Sequence, residues 1–584
     1  MVHKFINPYN FISLQKECTK LSKYQKKSDS NNEENLFGYI ECELKTLTPM
    51  IMNDSLLAEV KDDHVTYPKT FTINGVPSIP ASELRGCIRA KYEVLTNSCF
   101  SNYEEDEVFY GRLKSGSLNQ PGILDFSDPK NIRLFHAKKY VIKNSDLELK
   151  NNKTGDVLCF RYISGYDNEK KGKKVLIVKN GRLSGVYRKG EKFSEKESKH
   201  IFVKDKEITK LIENCDKLEK LYINSSKLSN SNVKEERFHN AYTTSPLRPV
   251  WYQIVDGYVY ISLSQNGQVQ YNNIMSDVLP KKYKQCTNEN DLCGACALFG
   301  SVNQSNNCKE SVMVSSKVRF SDARAINVTE KNCYWKKRLV NLPELSSPKY
   351  NNVNFYLESI FDNREKHDSK RVLNVDVYKD KNEFHLLGKE EIKIRGHKEY
   401  WHHYPRDFEV DNNNRNVTVN PVKVGVKYQF KVYFNDITKL QLEHLCCAIS
   451  LGPEEKFAHK IGMGKPLGYG SVVMRTKKVF IRELKVCKET YDISRKCDEY
   501  IPENKSIEEV FGEILNQRQL EEIKCMYSFS YLREKFGGNV NVDYPRVDVR
   551  TSEIFRWFAK NPDVKLPRAN SDCVIMDGKK TKYK

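Results

Sequence analysis

The sequence predicts an α+β fold, because two strand–helix pairs recur far apart in a chain of 584 residues. Residues 39–45 and 428–434 alternate apolar and polar side chains, which is the two-residue period of a strand with one buried face. Residues 80–95 and 442–449 space apolar side chains three and four positions apart, as in a helix with one buried face. A short strand is expected at 471–475. Strand, helix and strand twice over is the βαββαβ plan of a ferredoxin-like or RRM-like core, here with large β-hairpin and helical insertions.

Composition and pattern divide the chain into five segments. Residues 1–36 are polar and predict a mobile lead-in. Residues 37–105 form the first half of the core, and 106–285 an insertion region with β-hairpins and a charged segment. Residues 286–484 hold a CxxC region and the second half of the core with a glycine-rich loop. Residues 485–584 predict a C-terminal helical extension.

Two-residue turn signals mark the hairpins of the insertion region. Asn-Gly or Asp-Gly stands between strand-like runs within 175–185 and 251–265, and a further Asn-Gly follows at 266–267. The stretch 188–240 is so rich in Lys, Glu, Ser and Asn that it predicts a solvated helical or loop insertion with little core of its own.

The charge balance favours a polyanionic partner. Lysine and arginine number 96 and aspartate and glutamate 76, which gives a formal net charge of +20. Such a surplus attracts nucleic acid where it is concentrated on one face. The alternative is a Lys- and Asn-rich composition that only keeps the surface soluble.

The sequence predicts a soluble protein of a reducing cytoplasm. No stretch approaches the roughly 18 to 20 apolar residues of a membrane span, and the first twenty residues lack the pattern of a signal peptide. The 17 cysteines are an odd number scattered over a long chain. They suit reduced thiols better than a disulfide framework.

A polar stripe near the start of the first core helix is a candidate phosphate site. Ser82, Arg85 and Arg89 fall within about 60° of one another at 100° per residue. An anion at the positive end of the helix would relieve the repulsion between the two arginines. The alternative is that both arginines lie in water or pair with local carboxylates such as Glu93.

The glycine-rich loop is a second candidate for contact with phosphate. It contains Gly462, Gly464, Gly468 and Gly470, with Lys465 among them. The spacing fits neither the dinucleotide pattern nor the Walker pattern, so nucleotide hydrolysis is disfavoured. Repeated glycine allows close approach of the backbone to a ligand. A plain turn with several positive φ angles is the alternative.

Four cysteines predict a zinc site. Cys293 and Cys296 form a CxxC knuckle, and Cys286 and Cys308 flank it at six and eleven intervening residues. Four thiolates can complete a tetrahedral structural site. Because only one knuckle is present, a histidine could replace either outer cysteine, and buried free thiols remain the alternative.

A basic and aromatic segment at 394–406 is the last candidate. Its proposed RNA contacts are Arg395, His397 and Trp401, since cationic and aromatic groups together hold phosphates and stack on bases. Its histidines could instead serve as general acid and base, with His402 as the candidate. Packing of the tryptophan and of the last histidine in the interior is the alternative.

Taken together, these stretches resemble the CRISPR-associated RAMP superfamily, the RRM-like backbone subunits of type III effector complexes, and in particular a large subfamily with a Trp-His-His segment. Six motifs occur in the family's order: LTPMIM (47–52), PSIPASELRGCIRAKYE (77–93), CGACALFGS (293–301), VRFSDA (318–323), IRGHKEYWHH (394–403) and GMGKPLGYGSVVM (462–474).

The resemblance implies roles for these residues. Ser82, Arg85 and Arg89 would hold the backbone of a guide RNA, the glycine loop would meet the same RNA, and the CxxC region would bind zinc. In cleaving members, an aspartate on the loop after the first strand helps to cut target RNA with a divalent metal. Asp54 is the nearest candidate, although Asp62, Asp63 and His64 share that loop.

The leading hypothesis is therefore a subunit that binds CRISPR guide RNA inside a type III-like antiviral ribonucleoprotein, with target RNA and other effector subunits as partners and no membrane. One alternative is an endoribonuclease that cuts target RNA through Asp54 and a metal, or processes guide precursor through a histidine. A non-catalytic scaffold for protein interactions is the other alternative.

Overall fold

The structure is a computed structural model. It describes residues 4–21, 35–105, 268–302, 313–336, 338–345, 353–359, 392–408, 410–453, 456–486, 493–537, 541–544, 557, 564–571 and 575–577, together with strand segments inside 106–267 and 377–386.

Most strands of the described part are short. In the first half of the chain they are β1 (Lys4–Ile6), β2 (Tyr9–Ile12), β3 (Leu36–Thr46), β4 (Glu59–Lys61), β5 (His64–Tyr67), β6 (Thr72–Ile73), β7 (Val76–Ile79), β8 (Val108–Arg112), β9 (Gln120–Asp125), β10 (Arg133–Lys143), β11 (Val157–Cys159), β12 (Lys174–Val178), β13 (Ser198–Ile208), β14 (Leu247–Val255), β15 (Tyr258–Ser262) and β16 (Gln268–Ile274). In the second half they are β17 (Ser301–Val302), β18 (Met313–Val314), β19 (Val318–Phe320), β20 (Ala323–Ala325), β21 (Val340–Asn341), β22 (Leu357–Ser359), β23 (Val377–Asp380), β24 (Glu383–Leu386), β25 (Ile392–Ile394), β26 (His397–Tyr400), β27 (Val417–Val419), β28 (Lys427–Ile437), β29 (His459–Lys460), β30 (Ser471–Val486), β31 (Ile493–Tyr500), β32 (Asn541–Val542) and β33 (Ile575–Asp577).

The described helices are fewer. They are α1 (Ala81–Leu95), α2 (Met275–Val278), α3 (Gly294–Phe299), α4 (Val353–Tyr356), α5 (Lys439–Ser450), α6 (Ile507–Phe511), α7 (Gln517–Tyr527) and α8 (Tyr531–Phe536). None of them, within the described residues, has both the length and the hydropathy of a membrane span.

The central sheet has the strand order β29-β30-β3-β28-β20-β7-β6. Strand β3 pairs antiparallel with both β28 and β30, and β28 pairs antiparallel with β20. Ile40 of β3, for example, lies opposite Val432 on one side and Val479 on the other. The strands that the period-two patterns predict are therefore neighbours in one sheet.

Helices α1 and α5 pack against one another and cover one face of this sheet. Their inward residues join the apolar side of β3 and β28 in the main hydrophobic core. The boundaries agree closely with the predictions, since α1 begins one residue after the expected Pro80. The cap of α5 is Thr438, whose side chain accepts a hydrogen bond from the Gln441 amide.

The N-terminal segment differs from the predicted polar lead-in. Residues 4–21 are described, and β1 and β2 lie within the fold. Phe5, Ile6 and Ile12 are almost completely buried. The segment as a whole is polar, but short apolar stretches within it form β1 and β2. These two strands belong to two different small sheets.

The predicted hairpins are confirmed in one case. Strands β14 and β15 pair antiparallel, with Val255 opposite Tyr258 on either side of the Asp-Gly dipeptide. The Asn-Gly dipeptides at 180–181 and 266–267 lie outside the described residues, as does most of the charged segment, but β13 is a strand within it. The C-terminal region contains the predicted helices between 507 and 536, together with additional strands.

A buried ion pair connects α1 to two distant segments. The Lys91 ammonium lies 2.8 Å from a Glu399 carboxylate oxygen, and both side chains are largely buried. The same ammonium lies 3.6 Å from the centre of the Tyr527 ring, whose hydroxyl is 3.4 Å from the other Glu399 oxygen. Both charged groups are shielded from water, so each is stabilised mainly by the other.

We expect Lys91→Met to lower the free energy of unfolding by about 3–5 kcal/mol, because it leaves the Glu399 carboxylate buried and unpaired. Chemical denaturation measures this loss. The double variant Lys91→Met/Glu399→Gln should lose less than the sum of the single variants. Lys524→Met, which breaks an exposed pair with Glu508, should cost about 1 kcal/mol or less. Equal small losses at both sites would contradict the account.

Candidate functional site

The start of α1 is already capped by the protein. The Ala81 amide donates a hydrogen bond to a carboxylate oxygen of Asp322, at 2.8 Å. Asp322 belongs to the segment between β19 and β20, which is brought beside the helix by the pairing of β20 with β7. Ser82 is exposed at this end. The helix start therefore offers a hydroxyl to solvent, while one of its amides is occupied by a carboxylate.

The glycine loop lies directly beside this helix start. Its Gly462 amide donates a hydrogen bond to the Glu83 carboxylate, at 2.9 Å. The loop continues through a 3-10 turn at Lys465–Leu467, and the Lys465 side chain is partly exposed. The glycine loop thus adjoins the start of α1 at Glu83, whose carboxylate is directed toward the loop.

The glycines have a packing role within the protein. All four have positive φ, between 71° and 94°. A Cβ at Gly462 would lie 2.3 Å from the Ile51 carbonyl oxygen, and one at Gly470 1.9 Å from that of Ile461. At Gly468 it would lie 2.8 Å from the His403 carbonyl oxygen. Close approach to the protein's own backbone therefore requires glycine at these positions, in agreement with the turn interpretation.

The two arginines face another side of α1. A terminal nitrogen of Arg85 donates to the Phe299 carbonyl at 2.7 Å, and burial lowers the pKa of this guanidinium. Arg89 pairs with Glu93 at 2.9 Å and also contacts Ser101. At 100° per residue, Arg85 lies about 160° and Arg89 about 120° around the helix from Glu83, which faces the glycine loop. The alternative of pairing with a local carboxylate therefore describes Arg89.

The basic and aromatic segment lies mostly inside the protein. Trp401 is 1% exposed and its ring stacks on Tyr531, with 6.0 Å between centroids. His397 stacks on Phe100 at 4.4 Å, and burial lowers its pKa to about 4. The Arg395 side chain is 9% exposed and lies beside Glu358. These placements favour packing over the predicted contacts with RNA.

His402 is equally inaccessible. It is 3% exposed, and its Nδ1 lies 3.0 Å from the Ser471 hydroxyl. Burial, reinforced by the nearby Lys460, lowers its pKa well below the ordinary histidine value. A neutral, enclosed imidazole cannot exchange protons with a bound RNA, so the structure disfavours the predicted acid–base role.

Lys460 is an unusual buried cation beneath the glycine loop. Its ammonium donates to the Tyr469 carbonyl at 3.1 Å, and the residue is 6% exposed. Burial and, to a smaller extent, the neighbouring Lys465 lower the pKa of this lysine to about 7. The bond to Tyr469 fixes the C-terminal end of the loop.

Asp54 lies on a loop that contacts the glycine loop. The Met463 amide donates to the Ile51 carbonyl at 3.0 Å, three residues before Asp54. The Asp54 carboxylate accepts from the Leu56 amide and is partly exposed. Asp62 and Asp63 instead form the positive-φ turn between β4 and β5. Of these aspartates, Asp54 is the one in the segment that bridges to the glycine loop.

Four buried cysteines form a cluster that differs from the predicted one. Cys99, Cys286, Cys293 and Cys296 have sulfur atoms that all lie within 4.8 Å of one another. The Cys99 sulfur is 3.5 Å from Cys293 and from Cys296, and 3.8 Å from Cys286. Cys308 lies outside the described residues. Three predicted ligands therefore meet Cys99, which the sequence analysis did not identify.

The surroundings of the cluster suit thiolate ligands. The Cys293 amide donates to the Cys286 sulfur at 3.3 Å, and the Lys20 ammonium lies 3.2 Å from the same sulfur. Hydrogen bonds from the other three cysteines lower the pKa of Cys286. Four sulfurs bound to zinc at about 2.3 Å would lie about 3.8 Å apart, which matches the observed separations. The donor set therefore fits a tetrahedral metal ion.

Comparison with known proteins gives one family match. The model of the RAMP superfamily matches residues 43–240. The match confirms the predicted resemblance to the RAMP superfamily over these residues, which contain two of the six motifs, LTPMIM and PSIPASELRGCIRAKYE. No curated protein gives a significant match to the sequence.

Solved structures give only distant similarity. Csc2 of Thermofilum pendens is 8% identical, with 86% of this chain and 90% of that chain covered and a TM-score of 0.22. A chain of the type III-B Cmr-beta complex bound to cognate target RNA is 10% identical, with 76% and 98% covered and a TM-score of 0.19.

Proposed function

We propose that this chain is an RNA-binding subunit of a type III-like CRISPR ribonucleoprotein and that it contacts the guide-RNA backbone. The observation that carries the proposal is the hydrogen bond between Gly462 and Glu83, because it holds the glycine loop beside the start of α1. The RAMP superfamily match and the net charge of +20 support it. In such a subunit the protein contacts phosphate and sugar, while base pairing by the guide reads the sequence.

The arrangement of the central sheet supports a ferredoxin-like core. The four strands β30, β3, β28 and β20 are adjacent and antiparallel, which is the fourth-first-third-second order of a βαββαβ unit. Helices α1 and α5 occupy the two helix positions of that unit. The loops that would meet RNA then emerge at one end of the sheet.

Ser82 and Lys465 are the residues on which we base the RNA contact. Both are at least partly exposed: Ser82 precedes Glu83, and Lys465 follows Gly462 by three residues, where the glycine loop meets α1. A hydroxyl donor at a helix start and an ammonium on the adjoining loop suit a phosphate. Arg85 and Arg89 contribute less, because their partners lie within the protein.

Cleavage of target RNA is a second candidate function. It is favoured by the position of Asp54, whose carboxylate is partly exposed on a loop that contacts the glycine loop. An RNA bound at that loop would pass close to this carboxylate. A divalent cation held by this carboxylate could polarise a phosphodiester of the RNA. An aspartate without a metal ion cannot do so.

We also propose that Cys99, Cys286, Cys293 and Cys296 hold a structural zinc ion. The sulfur separations and the burial of all four residues support this assignment. Bound zinc would cross-link the end of α1, the start of α3 and the segment between them. Because α1 also carries the proposed RNA contact, loss of the metal should loosen that site as well.

Filter binding of guide RNA to Lys465→Ala and Ser82→Glu tests the RNA contact. We expect each variant to weaken binding several-fold, and Lys465→Ala to reduce the salt slope by about 0.7, the value for one phosphate contact on a single strand. Arg89→Ala should leave the slope unchanged, since its partners are Glu93 and Ser101. Lys524→Ala is the matched surface control. Wild-type affinity in both test variants would reject the site.

Asp54→Asn should abolish cutting of target RNA in the presence of Mg²⁺ if the chain is a nuclease, while guide binding stays within about twofold because no phosphate contact is removed. Asp63→Asn, on the neighbouring turn, is the control. A gel assay of labelled target RNA measures the rate. Cutting by Asp54→Asn at the wild-type rate would eliminate this aspartate, and inactive wild-type complex would eliminate the second function.

Metal analysis of purified protein should find about one zinc per chain. Cys99→Ser should reduce the zinc content to less than about half an equivalent per chain, because only three thiolates remain in a buried site. It should also lower the midpoint of thermal unfolding. Cys308→Ser should retain the metal. Loss of zinc from Cys308→Ser but not from Cys99→Ser would instead support the cysteine set predicted from spacing. Wild-type protein without metal would show that the four clustered cysteines are ordinary thiols.

A further inference from the structure

The face of the central sheet opposite the helices carries a row of aromatic side chains. Tyr39 of β3 lies in register with Tyr433 of β28 and Phe480 of β30. Its ring is 4.5 Å from that of Phe480 at an interplanar angle of 14°, and 5.9 Å from that of Tyr433. Tyr433 is 41% exposed, as is Phe37, two residues before Tyr39 on the same strand. Tyr39 and Phe480 are partly exposed, so the row presents aromatic surface to solvent, and exposed apolar surface of this kind marks interaction sites.

Cations lie directly over the central ring of the row. The Lys431 ammonium is 4.5 Å from the Tyr39 centroid, and the Arg482 guanidinium is 5.1 Å from it. Arg319 of β19 lies in register with Tyr433 at the next position along the row. Aromatic faces and positive charges are therefore interleaved across four neighbouring strands.

The described residues of this face carry a positive surplus. Among them are the cations Lys45, Arg319, Arg324, Lys427, Lys431, Lys477, Lys478 and Arg482 and the carboxylates Glu41, Glu43 and Glu499. Each carboxylate already pairs with a lysine, at 3.0 Å for Glu41, 3.7 Å for Glu43 and 2.6 Å for Glu499. The cations in excess leave a field that attracts a polyanion.

We propose that this aromatic row is a second RNA site, which stacks on unpaired bases while the surrounding cations hold the phosphates. Every base has a π-face, so stacking on Tyr39, Tyr433 and Phe480 would be tolerant of sequence. The proposal rests on the proposed RNA-binding function but uses a different surface. Along β30, Phe480 lies nine residues after Ser471, which is beside the glycine loop, so the two sites are about 30 Å apart along the strand.

Single-stranded RNA fits this face better than a protein partner. The centre of a protein interface is depleted in charged residues, and lysine in particular is rare there. Here lysine and arginine lie over and beside the rings themselves. A base that stacks on Tyr433 would bring its phosphates within reach of Arg319 and Lys431, so both chemical features of the face would be used.

Binding of two RNA probes to ring variants tests the site. The probes are a single strand of about 12 nucleotides and a duplex of the same length. Tyr39→Ala and Tyr433→Ala should each weaken binding of the single strand about tenfold and leave the duplex within about twofold, because a duplex has no free base to stack. Tyr39→Phe and Tyr433→Phe keep the rings and should bind as wild type does.

The outcomes separate this proposal from the proposed function. Wild type that binds neither probe overturns both. Wild-type binding combined with unchanged affinity in the alanine variants overturns the aromatic site alone. Should an alanine variant fail to fold, Lys45→Glu/Lys427→Glu replaces it, since it leaves the rings intact and should weaken both probes. Protection of β3 and β28 from hydrogen exchange by partner subunits without RNA would make this face a protein interface and reject the proposal.

Discussion

The hydrogen bond between the Gly462 amide and the Glu83 carboxylate is the contact on which the proposed site depends. It joins the glycine loop, in the second half of the core, to α1, in the first half, and the two residues are 379 positions apart in the sequence. Three other contacts fix the same helix: Asp322 at its first residue, Glu399 at Lys91, and the cysteine cluster just beyond its end. Because α1 is held at both ends and in the middle, the loop and the helix start keep a constant separation.

This arrangement has an electrostatic cost for binding an anion. Two carboxylates, those of Asp322 and Glu83, accept hydrogen bonds at the helix start and the adjoining loop, where a phosphate would otherwise be bound. A phosphate must therefore rely on Lys465 and on donors such as Ser82 that these carboxylates leave exposed. Cations elsewhere, including those on the open face of the sheet, then contribute to affinity through the long-range field.

Periodicity predicted the central strands and helices because burial on one face leaves a direct trace in sequence. Residues 39–45 and 428–434 show the alternation, and both form neighbouring strands. The sequence motifs likewise indicated the similarity to the RAMP superfamily. Charge and aromatic content were less informative at 394–403, since the same residue types serve a stacked interior and an RNA surface. Trp401 and His402 are buried there.

Long-range pairing accounts for the remaining differences. Cys99 joins the cysteine cluster across 187 residues from Cys286, so local spacing could not reveal it and favoured Cys308 instead. A helical wheel placed Arg85 and Arg89 on one stripe correctly but contained no information about which neighbour that stripe faces. The N-terminal strands were missed because short apolar pairs within a polar segment acquire partners only in the folded sheet.

The most direct test is to map protein–RNA crosslinks in the complex isolated with its native RNA. Ultraviolet crosslinking followed by peptide mass spectrometry identifies the contacting segments. The account predicts crosslinks in the peptides that contain Ser82 and Lys465, and none in the buried segment around Trp401. Crosslinks at Trp401 without any at the helix start or the glycine loop would contradict it.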